Sequence, residues 1–302
     1  MEPRQLATLR ELRDRGSITA VATALRVTPS SVSQQLSALQ RSAGVRLTRL
    51  DGRRTVLTDA GQALAAAAVD VEVALARARD AVNSFAADRT TISLAAFPTA
   101  AISLFPRLLA DPDPGLPVVR FADEGGSAED FARLTLSYDL VIGHRLHGSP
   151  PWPATLSVTP LLTEPLDLVC RVGHPLTELD AVGLADLVRT SWLGAHEGAP
   201  LEDAVRRLAG AGGRDPAVTH HIDDLAVTAA LLRRTDDVTL VPRHLATLPR
   251  GLVAVPFRDD LGASLTRRVD VLARPEVLAR AGTGQVVDAL LRASAELTTA
   301  TQ

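Results

Sequence analysis

Residues 17–58 read SITAVATALRVTPSSVSQQLSALQRSAGVRLTRLDGRRTVLT, two short helical patterns about a tight turn, followed by a basic hairpin with a glycine at its tip. The first helix, residues 19–25, is built from Ala, Val and Leu, and Arg26-Val27-Thr28 is too short to be anything but a sharp corner. The second helix has a clean start. The Thr28 hydroxyl can accept a free amide of the first turn, and Pro29 stands at the first helical position, where a missing N–H costs nothing. Val32, Leu36 and Leu39 recur at i, i+4 and i+7, so this stripe turns inward. At about 100° per residue, Ser30, Ser33, Gln34, Ser37 and Arg41 project from the other side. Asp51-Gly52 reads as a type I′ hairpin signal, with Arg49 before it, Arg53-Arg54 after it, and Val56 and Leu57 returning.

This is the pattern of a winged helix-turn-helix. A helix laid against base edges needs small side chains for close approach, hydroxyls and amides to exchange hydrogen bonds, and few acids to repel phosphate. Three guanidiniums around a hairpin tip suit phosphates or a narrow minor groove. The expected partner is double-stranded DNA of a promoter or operator, contacted by Thr28, Pro29, Ser30, Ser31, Ser33, Gln34, Ser37, Arg41, Arg49, Arg53 and Arg54. Charge agrees with this. Residues 1–60 carry 10 Arg against 5 Asp and Glu, a balance of +5 within a chain whose total is -3. Attraction to a polyanion is therefore local to the N-terminal domain.

The order and spacing resemble the N-terminal domain of LysR-type bacterial transcriptional regulators. Ser17-Ile18-Thr19, Ala22, Leu25, Val27-Thr28, Val32-Ser33, Gln35-Leu36, Leu39, Gly44, Leu47, Gly52-Arg53 and Leu57-Thr58 with Gly61 follow that family's motif over about 70 residues. There are two departures: Pro29-Ser30 stands where Gln-Pro is usual, and Thr48 and Leu50 fall at the usual Phe and Arg positions of the wing. The resemblance implies a regulator whose effector domain has two lobes like a periplasmic binding protein (Rossmann-like), and a dimer that often pairs again into a tetramer.

From Thr58 onward the chain is rich in Ala and free of Pro, which predicts one long linker helix over residues 59–88. Leu64, Ala68, Val71, Leu75, Ala78, Val82 and Phe85 step by 4, 3, 4, 3, 4 and 3, an apolar seam of heptad period. A second copy of the helix would cover it, predicting a homodimer through these residues. Packing on the chain's own effector domain is the alternative.

Residues 91–302 carry 19 Arg against 26 acids, a balance of -7 that disfavours DNA contact. Strands at 91–96, 118–122 and 140–143 alternate with helices at 100–110 and 128–134, a βαβαβ unit. A second unit runs through strands at 166–171, 191–194, 218–222 and 238–241, with helices near 184–188 and at 201–209 and 224–233. A strand at 269–273 and a helix at 276–295 close the chain. The expected organisation is a DNA-binding domain over 1–58, the linker over 59–88 and an effector domain over 89–302. In the last, lobe 1 is about 91–162 with 266–302, and lobe 2 about 163–265. A Gly-His-Pro-Leu run at 173–176 is similar to the family's usual start of the second lobe, whereas Arg234 to Asp237 stand where a Gly-x-Gly is common.

Two such lobes place a ligand cleft beyond their strand ends. Residues just past those ends are Phe97, Pro98 and Thr99; Gly125, Gly126 and Ser127; His144 and Arg145; His196 and Glu197; and Asp223. Thr99 opens a helix, where free amides favour an anion. Arg145 is the expected grip on a small-molecule effector, a carboxylate among the candidates.

Enzyme signatures are absent from the sequence: there is no Gly-x-Ser-x-Gly, His-Glu-x-x-His or Walker loop, and Gly282-Thr283-Gly284 lacks a third glycine. His220 and His221 are adjacent on a strand and point apart, poorly placed to share a metal. Cys170 stands alone, so no internal disulfide forms. No apolar run approaches the roughly 20 residues of a membrane span, and no signal peptide opens the chain. The expectation is a cytoplasmic transcriptional regulator without catalytic residues, cofactor or metal, controlled by a small molecule. The rival is a constitutive repressor or architectural DNA-binding protein with no ligand.

Overall fold

The computed structural model describes residues 1–52, 54–83, 91–110, 113, 115–188, 190–213, 215–244, 248–262 and 265–300. The chain divides into two compact units, Met1–Asp88 with Pro275–Ala281, and Arg89–Arg274 with Gly282–Gln302.

The first unit is built on α1 (Pro3–Arg15), α2 (Ile18–Leu25) and α3 (Pro29–Ala43). Each start carries its own cap. Gln5 accepts the Glu2 amide at 3.0 Å, Ser17 accepts that of Ala20 at 3.1 Å, and Thr28 accepts that of Ser31 at 3.1 Å. Gly16 and Gly44 end α1 and α3 in the left-handed region, whereas α2 ends on Arg26 at φ 54°, the one non-glycine residue with positive φ among those described. Leu9, Leu12, Val21, Val32, Leu36, Leu39 and Leu47 form the core, each buried side chain contributing roughly 1.5–3 kcal/mol.

The wing pairs β1 (Thr48–Asp51) with β2 (Arg54–Leu57), Asp51 facing Arg54. Asp51 is therefore a strand residue, and the turn begins one residue later than the Asp-Gly signal indicates. Gly52 takes φ +60°, as the first central position of a primed turn requires. Gln40 joins wing to helix, its Oε1 accepting the amides of Leu47 at 2.9 Å and Thr48 at 3.1 Å.

The linker helix α4 (Asp59–Asn83) begins hard against the wing: a Cβ on Gly61 would stand 2.0 Å from the Leu47 carbonyl oxygen, so only glycine fits. The seam residues divide into two groups. Leu64 and Ala68 pack into the core of their own unit, while Leu75 is half-buried and Val71, Ala78 and Val82 are exposed. Phe85 lies outside the described residues. The late helix Pro275–Leu278, numbered α10 in chain order, packs on α4. Arg10, only 1% exposed, binds Glu72 of α4 and meets Glu276 of this late helix at 2.7 Å. One buried cation thus ties three helices.

In the second unit β3 (Thr91–Ala96), α5 (Pro98–Ala110), β4 (Val118–Asp123), α6 (Ala128–Leu134) and β5 (Leu140–Leu146) form the expected βαβαβ, with β3 parallel to β4 and β5. The next strand, β6 (Ser157–Arg171), is 15 residues long, more than twice the 166–171 expected. Pro160 and Pro165 disguise it. Its first half pairs with β11 (Thr266–Ala273), with a register shift at Val269/Asp270 where Leu162 and Pro160 are the partners, a bulge of the kind that admits proline. Its second half pairs with β9 (Thr239–Pro242) and β10 (Leu252–Val255), the latter a strand the sequence reading omits.

Lobe 2 adds β7 (Ser191–Gly194), α7 (Pro200–Ala211), β8 (Ala217–His221), α8 (Leu225–Leu232) and the four-residue α9 (Asp259–Gly262), with β7 parallel to β8. Its core gathers Leu168, Cys170, Trp192, Val205 and Leu240, and burial pushes the Cys170 thiol pKa up. The sheet order β10-β6-β11-β5-β3-β4 makes β6 the member shared by both lobes. The expected closing helix is two helices, α10 and α11 (Ala281–Ala300), and the first belongs with the N-terminal unit, contrary to its placement in lobe 1. The amide of Ala281 donates to Asp80 of α4 at 3.0 Å, which caps the new start. No helix among the described residues is long and apolar enough to cross a membrane.

Candidate functional site

Two surfaces carry the chemistry. On α3, Thr28, Pro29, Ser30, Ser33, Gln34, Ser37 and Arg41 are all exposed, and Ser31 is half-buried. The amides of this helix have different duties. Gln35 is held inward, its Oε1 accepting from Thr8 at 2.6 Å, and Gln40 is used in the wing, so Gln34 is the one long amide on the outward face. Ser33 donates to the Pro29 carbonyl at 3.0 Å and retains its acceptor capacity. Arg49 and Arg54 are exposed on the wing and share one face, since Arg49 pairs with Val56 and Asp51 with Arg54. Arg53 lies outside the described residues.

The second surface is an open cleft of about 830 Å³, its mouth included, within the second unit. Pro98 and Thr99 enter it from the start of α5, where the Phe97 carbonyl takes the amides of Ala100 and Ala101 at 3.0 Å each. Gly126 lines it too. Gly126 has φ +152° and a Cβ there would meet that of Asp130 at 2.7 Å, so the chain turns into α6 only with glycine. Ser127 instead caps α6, exchanging hydrogen bonds with Asp130 that hold this carboxyl below its ordinary pKa.

From lobe 2 come His196 and Asp223. The Asp223 carboxylate accepts the His196 amide at 3.0 Å and meets its ring Nδ1 at 2.6 Å. Glu197 faces away from the cleft and pairs with Arg206 at 3.1 Å. The remaining wall is mostly apolar, with Leu193, Ala195, Leu201, Val205, Ile222 and Leu225 beside Thr228 and Thr239.

Strand alternation divides the expected pair on β5. His144 faces the cleft and packs on Phe97 at a tilt of 56°, with centroids 4.3 Å apart. Burial first, and the charge of Arg267 second, push its pKa well below the usual value, so the imidazole is neutral. Arg145 points to the other side, 3.6 Å from Asp270 and over the Trp152 ring, and is not a cleft residue. The cleft's guanidinium is Arg267 of β11, 1% exposed. Its Nε donates to Glu164 at 2.7 Å, its Nη2 to Thr99 at 3.0 Å, and its plane lies 4.8 Å over Phe97. Glu164 is fully buried and also accepts the His244 amide at 3.0 Å.

Both surfaces coincide with recognised family regions. Residues 3–62 match the model of the bacterial regulatory helix-turn-helix proteins of the lysR family, and residues 86–295 match that of the LysR substrate binding domain. The chain belongs to the LysR family. It is a DNA-binding transcriptional regulator with an effector-binding domain. The small neutral protease regulatory protein of Streptomyces coelicolor is 29% identical over 269 residues, 85% of this chain and 82% of that protein. ArgP from Mycobacterium tuberculosis matches with a TM-score of 0.64 at 22% identity, covering 97% of each chain. A hydrogen-peroxide-bound cysteine-to-serine mutant of Corynebacterium glutamicum OxyR matches with a TM-score of 0.60 at 22% identity, over 99% of this chain and 94% of that one. Those two structures share its fold.

In this LysR-type regulator the sequence reading missed Arg267, Glu164 and Phe131. The signal for Arg267 was present: in TRRVDVLA it alternates in phase with Val269 and Val271, the buried side of β11. Starting that strand at Val269 hid it.

Proposed function

We propose that this regulator reads its operator with the outward face of α3, Thr28 to Arg41, and grips phosphates with Arg49, Arg53 and Arg54 of the wing. The observation that carries the reading is the exposed, acid-free face of α3, with Gln34 its one outward amide. A second copy of the chain covers the outward part of the α4 seam, Val71, Leu75, Ala78 and Val82, giving the pair of reading heads that two half-sites require. The two-lobed cleft takes a small-molecule effector against Pro98, Thr99, Gly126, His144, His196 and Asp223. Ligand-linked closure of its lobes biases the spacing of the reading heads. The protein works in the cytoplasm and has no catalytic role.

Gln34→Ala tests the assignment. It is expected to weaken operator binding by about 1–3 kcal/mol while leaving binding to random DNA nearly unchanged. Titration of labelled operator and random duplexes at fixed salt measures both. Parent-like operator affinity would remove Gln34 from the reading face.

A further inference from the structure

Resting on the reading of the cleft as the effector site, we propose that the effector is an uncharged molecule with a flat apolar body and a hydrogen-bond acceptor directed at Arg267 and Thr99. The cleft holds a single guanidinium among its described lining residues, and its charge is already matched. Glu164 lies 2.7 Å from Arg267, and neither is more than 1% exposed. A carboxylate placed on the remaining donors of Arg267 would stand beside that buried carboxylate, with no second arginine among the described lining residues to offset it. In a poorly screened site such like-charge proximity is strongly unfavourable. The other ionic group of the lining is the Asp223 carboxylate, on His196.

A neutral acceptor meets none of this repulsion. Arg267 donates through Nε and Nη2 to the protein, leaving Nη1 as the guanidinium nitrogen without a partner among the described residues. The Thr99 oxygen takes one Arg267 proton, so its own hydroxyl proton is free to point inward. His144 adds a neutral ring whose Nδ1 is buried without a hydrogen bond. A neutral imidazole and a compensated arginine can orient a carbonyl or hydroxyl, but they offer no net positive charge.

The shape of the wall selects the body. The chain has six Phe in 302 residues, and two of them, Phe97 and Phe131, stand here at 6.0 Å with His144 packed on both. Leu193, Ile222 and Leu225 face them from lobe 2. Aromatic faces opposite branched aliphatics suit a planar ring system.

The test compares 2-naphthamide with 2-naphthoate, matched in shape and different in charge, by isothermal titration of the full-length protein. The amide is expected to bind at least about tenfold more tightly. Phe97→Leu should weaken the binding of whichever probe binds by about fivefold. Glu164→Gln, checked for folding by circular dichroism, should move the preference toward the naphthoate by about tenfold, because it frees the Arg267 charge. Equal or tighter binding of the naphthoate to the parent overturns the uncharged effector and leaves the cleft reading intact. Binding of neither probe overturns the flat apolar body. Binding that ignores Phe97→Leu overturns the cleft as the site. The parent comparison decides even where Glu164→Gln does not fold.

Discussion

Glu164→Ala is expected to destabilise the effector domain by about 3–5 kcal/mol, the largest single effect predicted for this chain. Glu164 is fully buried and is the ion-pair partner of Arg267, itself 1% exposed. Deleting the carboxylate leaves a guanidinium that is only 1% exposed without its counter-charge, and it also orphans the His244 amide. Removing both charges has a different consequence. Glu164→Ala combined with Arg267→Met replaces a desolvated pair by an apolar contact on Phe97, and should recover most of the loss. The readout is specific, since both tryptophans, Trp152 and Trp192, lie buried in this unit, so the urea transition seen in their fluorescence reports on it. A single variant within 1 kcal/mol of the parent would show that water reaches the pair.

Arg10→Ala should cost the N-terminal unit about 3 kcal/mol, at the low end of the range because the side chains of Glu72 and Glu276 keep about 15% and 14% of their exposure. Without Arg10 the carboxylates of Glu72 and Glu276 lose the cation they share. Arg10→Met retains the packing of the stem and removes only the charge, so it separates the ionic from the steric loss. The loss should appear in the helical transition by far-UV circular dichroism and leave the tryptophan transition in place. A parent-like helical transition in Arg10→Met would mean that the knot contributes packing alone.

The N-terminal domain was almost fully legible because local rules decide it. Caps at Ser17 and Thr28, a proline at the first position of α3 and an inward stripe at Val32, Leu36 and Leu39 each specify one geometry, and all three hold. The wing slipped by one residue because Asp51-Gly52 and Gly52-Arg53 both satisfy a primed turn, and only cross-strand pairing separates them. The linker shows the limit of periodicity. Leu64 and Ala68 obey the same heptad as Val71 and Val82 yet serve the domain's own core, since a repeat says that a face is apolar and not what covers it.

The effector domain was legible in its strands and poorly legible in its site. Prolines concealed β6 because their tolerance depends on a bulge formed with a strand about 100 residues away. Arg145 follows His144 at a strand end and looks equally suited to a ligand, but one residue of alternation sends it to Asp270. Arg267 reaches the cleft through β11, whose placement beside β5 and β6 is a property of the folded sheet.

This LysR-type regulator is expected to bind DNA sequence-specifically and in pairs. The most direct test is a footprint of the full-length protein on the DNA just upstream of its own start codon, at two salt concentrations and with excess competitor DNA. Two protected half-sites spaced by whole helical turns are expected, weakened at the higher salt and surviving competitor. Diffuse protection that vanishes with salt and competitor would leave only phosphate attraction, and would contradict sequence-specific binding in pairs.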